Sequence, residues 1–317
     1  MNKCTGCGSL LQNIEPLKEG YTTDLNNKLC NRCFKIRHYN TYEKIEKNGI
    51  DYIKKINSND LVLLITDLFN LNLNEINIKN PIILVLTKRD LLPRNTDENK
   101  LLAKITSKLN IKEKIIICSN NNYNLDKLYN LIIKYKTSNK VYVIGPVSTG
   151  KSTLINKMSK NYGNNEYEIT TSILPSTTLD LINIKINDSL TLIDTPGMLD
   201  DGSVLNLCDK NLFKKIIPKK EIKPVVIQVK INQTIVTDVF KISVKQGGTL
   251  VFYMSNNLKL ERIYKETNSN LNKTHFENLD NKDIIIKGIG FIKCVNIKSI
   301  DIYISNKIKI DVRNSII

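Results

Sequence analysis

A candidate phosphate-binding loop occupies residues 145–152, with the sequence Gly-Pro-Val-Ser-Thr-Gly-Lys-Ser. Glycines in such a loop let backbone N–H groups approach phosphate oxygens, and the amino terminus of the following helix attracts negative charge. Lys151 is expected to lie along the β- and γ-phosphates, and the Ser152 hydroxyl to ligate Mg²⁺. A motif this short also occurs by chance, so its context must be strand, loop and helix. The predicted nucleotide contacts are Gly145, Ser148, Thr149, Gly150, Lys151, Ser152 and Thr153.

A second candidate motif, Asp194-Thr195-Pro196-Gly197, lies 43 residues after Lys151. Asp194 is expected to hold Mg²⁺ through water, and the Gly197 amide to meet the γ-phosphate. Pro and Gly also favour ordinary turns, so the motif alone is ambiguous. Of the threonines at 177 and 178, Thr178 is preferred as the switch hydroxyl that closes on Mg²⁺. The predicted catalytic residues are Lys151, Thr178, Asp194 and Gly197.

A third segment, Thr87-Lys88-Arg89-Asp90, predicts recognition of guanine. The Asp90 carboxylate can accept both N1–H and N2–H of guanine, which adenine does not offer. The Lys88 stem would lie over the base, and Thr87 stands where Asn is more usual. Ser119 and Asn120 form a weaker match for the loop that contacts guanine O6. Together these residues predict GTP and GDP as ligands.

The order of these motifs is informative. The base-reading segment ends 55 residues before the phosphate loop begins. In a Ras-like GTPase the phosphate loop comes first and the base-reading motif last. The sequence therefore predicts a circularly permuted P-loop GTPase core.

Four cysteines near the amino terminus form two pairs with the spacing Cys-x-x-Cys. Two such knuckles can direct four thiolates to one tetrahedral zinc ion, with no position left open for catalysis. Disulfides are the alternative, and they fit poorly in a cytosolic GTPase. The predicted structural Zn²⁺ ligands are Cys4, Cys7, Cys30 and Cys33.

Short apolar runs and helical patterns alternate through the middle of the chain. Each chemical motif follows one of these runs, and doubly wound sheets bind ligands at the carboxyl ends of their strands. The pattern predicts a mainly parallel sheet with helices on both sides. The predicted strands are 61–66, 82–86, 115–118, 141–144, 181–186 and 190–193, and the predicted helices are 97–109, 124–136 and 152–161.

Apolar and polar residues alternate in the last third, which predicts a β-rich domain. Its predicted strands are 225–231, 234–244, 249–254, 289–295 and 298–312, preceded by a helical stretch near 203–216. Residues 209–317 contain 20 basic and 10 acidic residues, which gives this third a net charge of +10 out of +16 for the whole chain. This asymmetry favours a polyanionic partner such as RNA. A general Lys-, Asn- and Ile-rich composition is the alternative explanation for the lysine count.

No apolar stretch approaches the length of a membrane span, and the first residues lack the apolar region of a secretory signal. A cytoplasmic protein without a membrane partner is therefore expected. Three domains are predicted: a four-cysteine domain at 1–47, the GTPase core at 48–217 and a basic β-rich domain at 218–317.

The chain resembles the YqeH family of circularly permuted GTPases along its whole length. That resemblance implies GTP hydrolysis, Mg²⁺, a treble-clef-like zinc head, and association with ribosomal RNA and precursors of the small (30S) ribosomal subunit. The similar segments are 4–7, 29–40, 87–93, 145–153, 175–181, 194–197, 218–224 and 288–290.

Three positions depart from the family pattern. Ser148 stands where many permuted GTPases carry an Asn that helps bind K⁺, which leaves potassium stimulation open. Ser176 replaces the usual Gly before the two threonines. Met198 occupies the position of the water-orienting Gln of Ras-type enzymes, and a thioether cannot orient water in that way. Slow intrinsic turnover is therefore expected.

These observations favour a GTPase that times assembly of the small ribosomal subunit. One alternative is a nucleotide-gated RNA-binding module in which hydrolysis is incidental. Another is a GTPase that acts on a protein or membrane partner, with lysines that only increase solubility. The oligomeric state is not predicted.

Overall fold

The computed structural model describes residues 2–39, 50–54, 56–73, 76–163, 178–198, 202–265 and 271–317. The chain forms two compact units. The first unit contains Met1–Asp67, Ile76–Lys88 and Ser107–Leu199, and the second contains Leu68–Glu75, Arg89–Thr106 and Asp200–Ile317. The four-cysteine head and the predicted parallel strands thus share one unit. The three-domain division of the sequence stays a prediction.

Six helices are described. They are α1 (Asn31–Tyr39), α2 (Ile50–Ile53), α3 (Glu98–Lys104), α4 (Leu125–Tyr135), α5 (Lys151–Tyr162) and α6 (Lys210–Ile216), with one-turn 3₁₀ helices at Arg89–Leu91 and Val204–Asn206. Among the described residues, no helix has the length and apolar character needed to cross a membrane.

The first unit contains a six-stranded, mainly parallel sheet. Its strands are β1 (Leu61–Asp67), β2 (Ile82–Thr87), β3 (Ile111–Ile116), β4 (Lys140–Ile144), β5 (Ile182–Asn187) and β6 (Leu190–Asp194). The strand order is β3-β2-β1-β4-β6-β5, and the β5–β6 pair is antiparallel. The phosphate loop follows β4, where the strand order reverses. Ligands bind at such a switch point in doubly wound sheets.

Burial explains why these segments form central strands. Every residue of β1 and β2 is buried, as expected for strands covered on both faces. Leu128 and Ile132 of α4, with Leu154 and Met158 of α5, pack against one face of the sheet. The opposite face is also buried, as Val62, Leu64 and Leu84 show.

The register brings the carboxyl ends of the strands to one edge. Asp67 lies opposite Thr87 in the β1–β2 pair, and Val143 lies opposite Asp194 in the β4–β6 pair. The carboxyl ends of β1, β2, β4 and β6 therefore lie close together, as the alternation of strands and helices predicted.

Two boundaries differ from the sequence prediction by four residues or more. β3 begins at Ile111 and not at 115, because an edge strand is half-solvated and its Lys112, Glu113 and Lys114 hide the apolar signal. The helix predicted at 97–109 ends at Lys104, where Ile105 is extended.

The second unit is β-rich, as predicted. It contains two five-stranded antiparallel sheets with the strand orders β16-β13-β14-β10-β7 and β11-β8-β9-β15-β12. The strands are β7 (Val225–Val229), β8 (Thr234–Thr237), β9 (Lys241–Val244), β10 (Gly248–Met254), β11 (Leu260–Ile263), β12 (Asn272–Glu277), β13 (Lys282–Ile286), β14 (Gly290–Val295), β15 (Ser299–Ile304) and β16 (Ile310–Asn314). Fully buried side chains such as Phe240, Phe252 and Ile292 contribute to a common core.

The sequence prediction missed three of these strands and merged others. β11 and β12 lie at the edge of their sheet, and β12 is polar and mostly exposed, so it lacks apolar alternation. β13 was missed although Ile284, Ile285 and Ile286 are buried. The predicted runs 234–244 and 298–312 are each two strands joined by a turn.

Two segments inserted between strands of the parallel sheet belong to the second unit. Arg313 donates hydrogen bonds to the carbonyl oxygens of Leu68 and Leu71, at 3.5 and 3.0 Å. The Ile222 N–H donates to the Leu91 carbonyl at 2.9 Å. No local sequence pattern signals these contacts, because they join backbone carbonyls to distant residues.

Candidate nucleotide and metal sites

The phosphate loop connects β4 directly to α5, the context that the motif requires. Gly150 is the N-cap residue of α5, and Lys151 is its first residue. The Lys151 Nζ donates to the carbonyl oxygens of Gly145 and Pro146, both at 2.9 Å. The Thr149 hydroxyl also donates to the Pro146 carbonyl, at 2.8 Å. The loop therefore curves around the buried lysine ammonium.

Three oxygen-bearing side chains meet beside this loop. Thr178 Oγ1 donates to Asp194 Oδ2 at 2.7 Å, and Ser152 Oγ lies 3.4 Å from the same oxygen. Asp194 is fully buried, and its Oδ1 has no hydrogen-bond partner among the described residues. A carboxylate and two hydroxyls suit Mg²⁺, which prefers hard oxygen ligands and retained water. The donor set therefore fits the predicted magnesium site.

Burial shifts the ionisation of the two charged residues in this cluster. Removal from water lowers the pKa of Lys151 to about 8, although the charge of Asp194 opposes the shift. Removal from water likewise raises the pKa of Asp194 to about 6, and the neighbouring Lys151 opposes that shift. Buried charges of this kind need compensation. When bound, Mg²⁺ and phosphate oxygens would supply it, and Mg²⁺ would neutralise charge that develops on the phosphates.

Gly197 and Met198 lie against the phosphate loop. The Met198 N–H donates to the Gly145 carbonyl at 3.1 Å, and the Val147 N–H donates to the Met198 carbonyl at 3.2 Å. A Cβ on Gly197 would lie 2.5 Å from Val147 Cγ1, so only glycine permits this approach. The Met198 side chain is buried. Its thioether has no hydrogen-bond donor and is only a weak acceptor, so it cannot orient a water molecule as Gln does.

The base-reading segment is tied to the phosphate loop by Thr87. Its hydroxyl donates to the Thr149 carbonyl at 2.8 Å and contacts the Thr66 carbonyl at 3.3 Å. Lys88 adopts a left-handed backbone with φ of 65°, and its Nζ lies 3.0 Å from Asp67 Oδ2. Asp67, which the sequence prediction did not name, therefore lies beside the base-reading segment. Its signal was an acidic residue directly after the apolar run 61–66.

The other predicted guanine contacts lie in turns. Asp90 is exposed in the 3₁₀ turn Arg89–Leu91, which belongs to the second unit. There Arg89 forms an ion pair with Glu98. Ser119 and Asn120 lie in a turn of the first unit that is closed by reciprocal backbone hydrogen bonds between Cys118 and Tyr123, at 3.2 and 3.0 Å.

The structure thus brings Lys151, Ser152, Thr178 and Asp194 together, although they span 44 positions of the sequence. Gly145 and Thr149 belong to the phosphate loop, and Gly197 lies against it. Ser148, with φ of 60°, and Thr153, in the first turn of α5, are partly exposed. Ser176 and Thr177 lie outside the described residues. The assignment of these residues to a bound nucleotide remains a prediction.

The four head cysteines form one buried cluster. Their sulfur atoms all lie within 4.8 Å of one another, and Cys7 Sγ lies 3.8 Å from Cys30 Sγ. Four sulfurs around zinc at about 2.3 Å would be separated by roughly 3.8 Å. A disulfide needs about 2.05 Å, so the distance excludes a Cys7–Cys30 disulfide. Backbone N–H groups of Cys30 and Cys33 point at sulfur, at 3.2 and 3.5 Å. The cluster fits tetrahedral Zn²⁺.

Two family profiles match the chain. The profile "RsgA GTPase" matches residues 55–202, and the profile "50S ribosome-binding GTPase" matches residues 140–286. Both ranges contain the phosphate loop. The first range also contains the base-reading segment ahead of it, which is the permuted order.

The chain is also similar in sequence to two curated proteins. YqeH of Bacillus subtilis (strain 168) is 29% identical over 294 residues, which cover 86% of this chain and 80% of that protein. NO-associated protein 1, chloroplastic/mitochondrial, of Arabidopsis thaliana is 27% identical over 241 residues, which cover 62% of this chain. The match spans only 43% of the plant protein. With the permuted motif order and the strand topology, these similarities identify the protein as a GTP-hydrolysing enzyme that is similar to the circularly permuted GTPases of the YqeH and RsgA type.

Proposed function

We propose that this GTPase acts in assembly of the small ribosomal subunit and binds ribosomal RNA or a precursor particle in a nucleotide-dependent way. The observation that carries the proposal is a basic stretch in the second unit. Its five lysines are all exposed: Lys214, Lys215, Lys219, Lys220 and Lys223. Exposed lysines bind polyanions by releasing counterions from phosphates.

The ribosomal context rests on the resemblance to the YqeH family and on the description of one matching profile. The resemblance to the YqeH family implies the small subunit, whereas the description of one matching profile names the 50S subunit. Both subunits therefore belong in the test. The choice between them rests on the binding preference of the protein.

Slow intrinsic hydrolysis is part of the proposal. Met198 replaces a water-orienting side chain and packs against the phosphate loop. The purified protein should therefore turn over GTP at well below about 1 s⁻¹, and a bound particle or ion should complete the site.

Nucleotide dependence would arise from the connection that follows β6. Loss of the γ-phosphate would release Gly197, and the chain passes from the first unit to the second only a few residues later, between Leu199 and Asp200. Such release of a switch segment is a common means of changing the position of an attached element. The support for this step is chain connectivity alone.

Co-sedimentation with purified small subunits, large subunits and naked ribosomal RNA tests the proposal. The protein should sediment with small subunits when it holds a non-hydrolysable GTP analogue, and less with GDP. Equal sedimentation with both nucleotides would rule out nucleotide-dependent binding. A preference for large subunits would rule out the small subunit as the partner.

Charge variants test the basic stretch. Replacing its five lysines by Gln should lower the slope of log affinity against log salt concentration by about one for each lysine that contacts a phosphate. A matched control replaces five exposed lysines of the first unit by Gln, namely Lys112, Lys127, Lys134, Lys140 and Lys160. Equal losses in both variants would show that only total charge matters.

The buried Met198 also favours a second candidate, a nucleotide-gated RNA-binding module in which hydrolysis is incidental. Single-turnover hydrolysis with and without subunits separates the two. Acceleration by subunits supports the assembly GTPase, and an unchanged rate supports the binding module.

A further inference from the structure

The residues after Thr178 are attached to the four-cysteine cluster. The Cys7 carbonyl accepts the N–H of Leu179 at 2.8 Å and the N–H of Asp180 at 3.1 Å. Both donors lie immediately after Thr178, whose hydroxyl donates a hydrogen bond to Asp194 at 2.7 Å. The backbone of the first cysteine knuckle therefore holds the segment that carries the switch hydroxyl.

Side-chain packing reinforces this attachment. Leu179 is 0% exposed and packs with the four cysteines and Leu11 in a small apolar cluster. Truncation of a buried leucine destabilises the structure around it, because a cavity remains. The position of the Leu179 side chain thus depends on the shape of the cysteine cluster.

A polar contact and a close approach complete the junction. Lys3 Nζ lies 3.0 Å from Asp180 Oδ2. Gly8, which has φ of 83°, approaches so closely that a Cβ would lie 2.8 Å from the Asp180 carbonyl oxygen. The residue after Cys7 must therefore be glycine for the knuckle to meet the switch segment.

We propose that the cysteine cluster positions Thr178, with Leu179 as the positioning residue, so that zinc occupancy and binding of Mg²⁺ with GTP are thermodynamically linked. A knuckle organised by zinc holds Leu179, and Leu179 keeps the Thr178 hydroxyl beside Asp194. GDP lacks the γ-phosphate on which a switch threonine closes, so GDP binding depends less on the cluster. This linkage does not require the ribosomal role.

Linkage is reciprocal, and this gives a test that does not measure activity. The zinc affinity of the full chain is measured at equilibrium by competition with a chromogenic chelator, in the presence of Mg²⁺ and either a GTP analogue, GDP or no nucleotide. The GTP analogue should raise the zinc affinity at least about fivefold relative to GDP, the lower end of typical allosteric coupling. Equal zinc affinities in the three conditions would overturn the inference.

Substitutions at the junction separate positioning from folding. Leu179→Ala keeps the backbone hydrogen bonds but leaves a cavity. It should weaken binding of the GTP analogue at least about fivefold more than it weakens binding of GDP. Lys3→Glu should weaken the analogue by about 1.4- to 5-fold, as expected for a partly exposed ion pair. Lys3→Glu combined with Asp180→Lys restores the opposite charges and should restore binding.

Lys18→Glu is the matched control, because it breaks an exposed pair with Glu15 in the same head. It should leave the ratio of the two affinities unchanged. The inference is wrong if Lys18→Glu has the same effect as Lys3→Glu, or if charge reversal fails to restore binding. An unchanged affinity ratio in Leu179→Ala would also overturn it, whether or not that variant keeps its zinc. If Leu179→Ala does not fold, the Lys3 and Asp180 series decides.

Discussion

Thr87→Val tests the bond between the base-reading segment and the phosphate loop. Thr87 is 4% exposed, and its hydroxyl donates to the Thr149 carbonyl at 2.8 Å. Valine has nearly the same shape but no donor. The change therefore withdraws a hydrogen bond from a buried carbonyl, which costs about 1–3 kcal/mol. The free energy of unfolding of the first unit should fall by that amount.

The same bond holds Thr149 within the phosphate loop, so the affinity for GDP should also fall, by about 5- to 150-fold if the whole effect appears in binding. Urea titration with amide exchange in peptides from β1 and β2 reports the first unit separately from the second. Peptide resolution matters because two units need not unfold together.

Thr66→Val is the matched control. Thr66 is 3% exposed in the neighbouring strand, and among the described residues its hydroxyl has only a 3.5 Å contact, to the Asp67 carbonyl. Its removal should cost clearly less than removal of the Thr87 hydroxyl. Equal losses of stability in the two variants, or unchanged GDP affinity in Thr87→Val, would show that the Thr87 hydroxyl does not hold the phosphate loop.

Three further predictions concern single side chains. Asp90→Asn should reverse the base preference from GTP to xanthosine triphosphate, because Asn can donate to the xanthine 2-oxygen, and competition binding that still prefers GTP would contradict this. Arg313→Met should lower the free energy of unfolding of the second unit by about 3–5 kcal/mol, since Asp283, at 0% exposure and 3.1 Å from Arg313 Nε, would keep a buried unpaired charge. Asp283→Asn in the same chain should recover part of that loss in urea titrations, and no recovery would exclude the charge explanation. The hydrogen bond to Asp301, at 2.6 Å, raises the pKa of His275. The stabilisation that this bond gives the folded state is therefore complete below about pH 6.5 and is lost as the pH rises through the raised pKa. In His275→Gln that loss should disappear from melting curves of the second unit, and an unchanged pH dependence would show that another group is responsible.

Much of the first unit could be predicted from local patterns. Buried parallel strands such as β1 and β2 are continuous apolar runs, and the phosphate loop has fixed glycine and lysine positions. The permuted order followed from the order of the motifs alone. The paired cysteines predicted a four-sulfur cluster, because local spacing determines how each knuckle turns.

The remaining features depend on contacts between distant residues. The Cys7 carbonyl that holds Leu179 has no signature in the sequence, because any residue has a backbone carbonyl. Asp67 was missed because an acidic residue after a strand is common and its pairing with Lys88 depends on strand register. Edge strands such as β12 are polar on most positions, so alternation of apolar residues could not identify them.

We expect the permuted motifs to bind one guanine nucleotide together with Mg²⁺. The decisive test is calorimetric titration of the full chain and of Lys151→Ala with non-hydrolysable GTP and ATP analogues in Mg²⁺. We expect one GTP analogue per chain, at least about 100-fold weaker binding of the ATP analogue, and a large loss of GTP-analogue binding in Lys151→Ala. Equal binding of the two analogues, or unchanged binding in Lys151→Ala, would contradict this expectation.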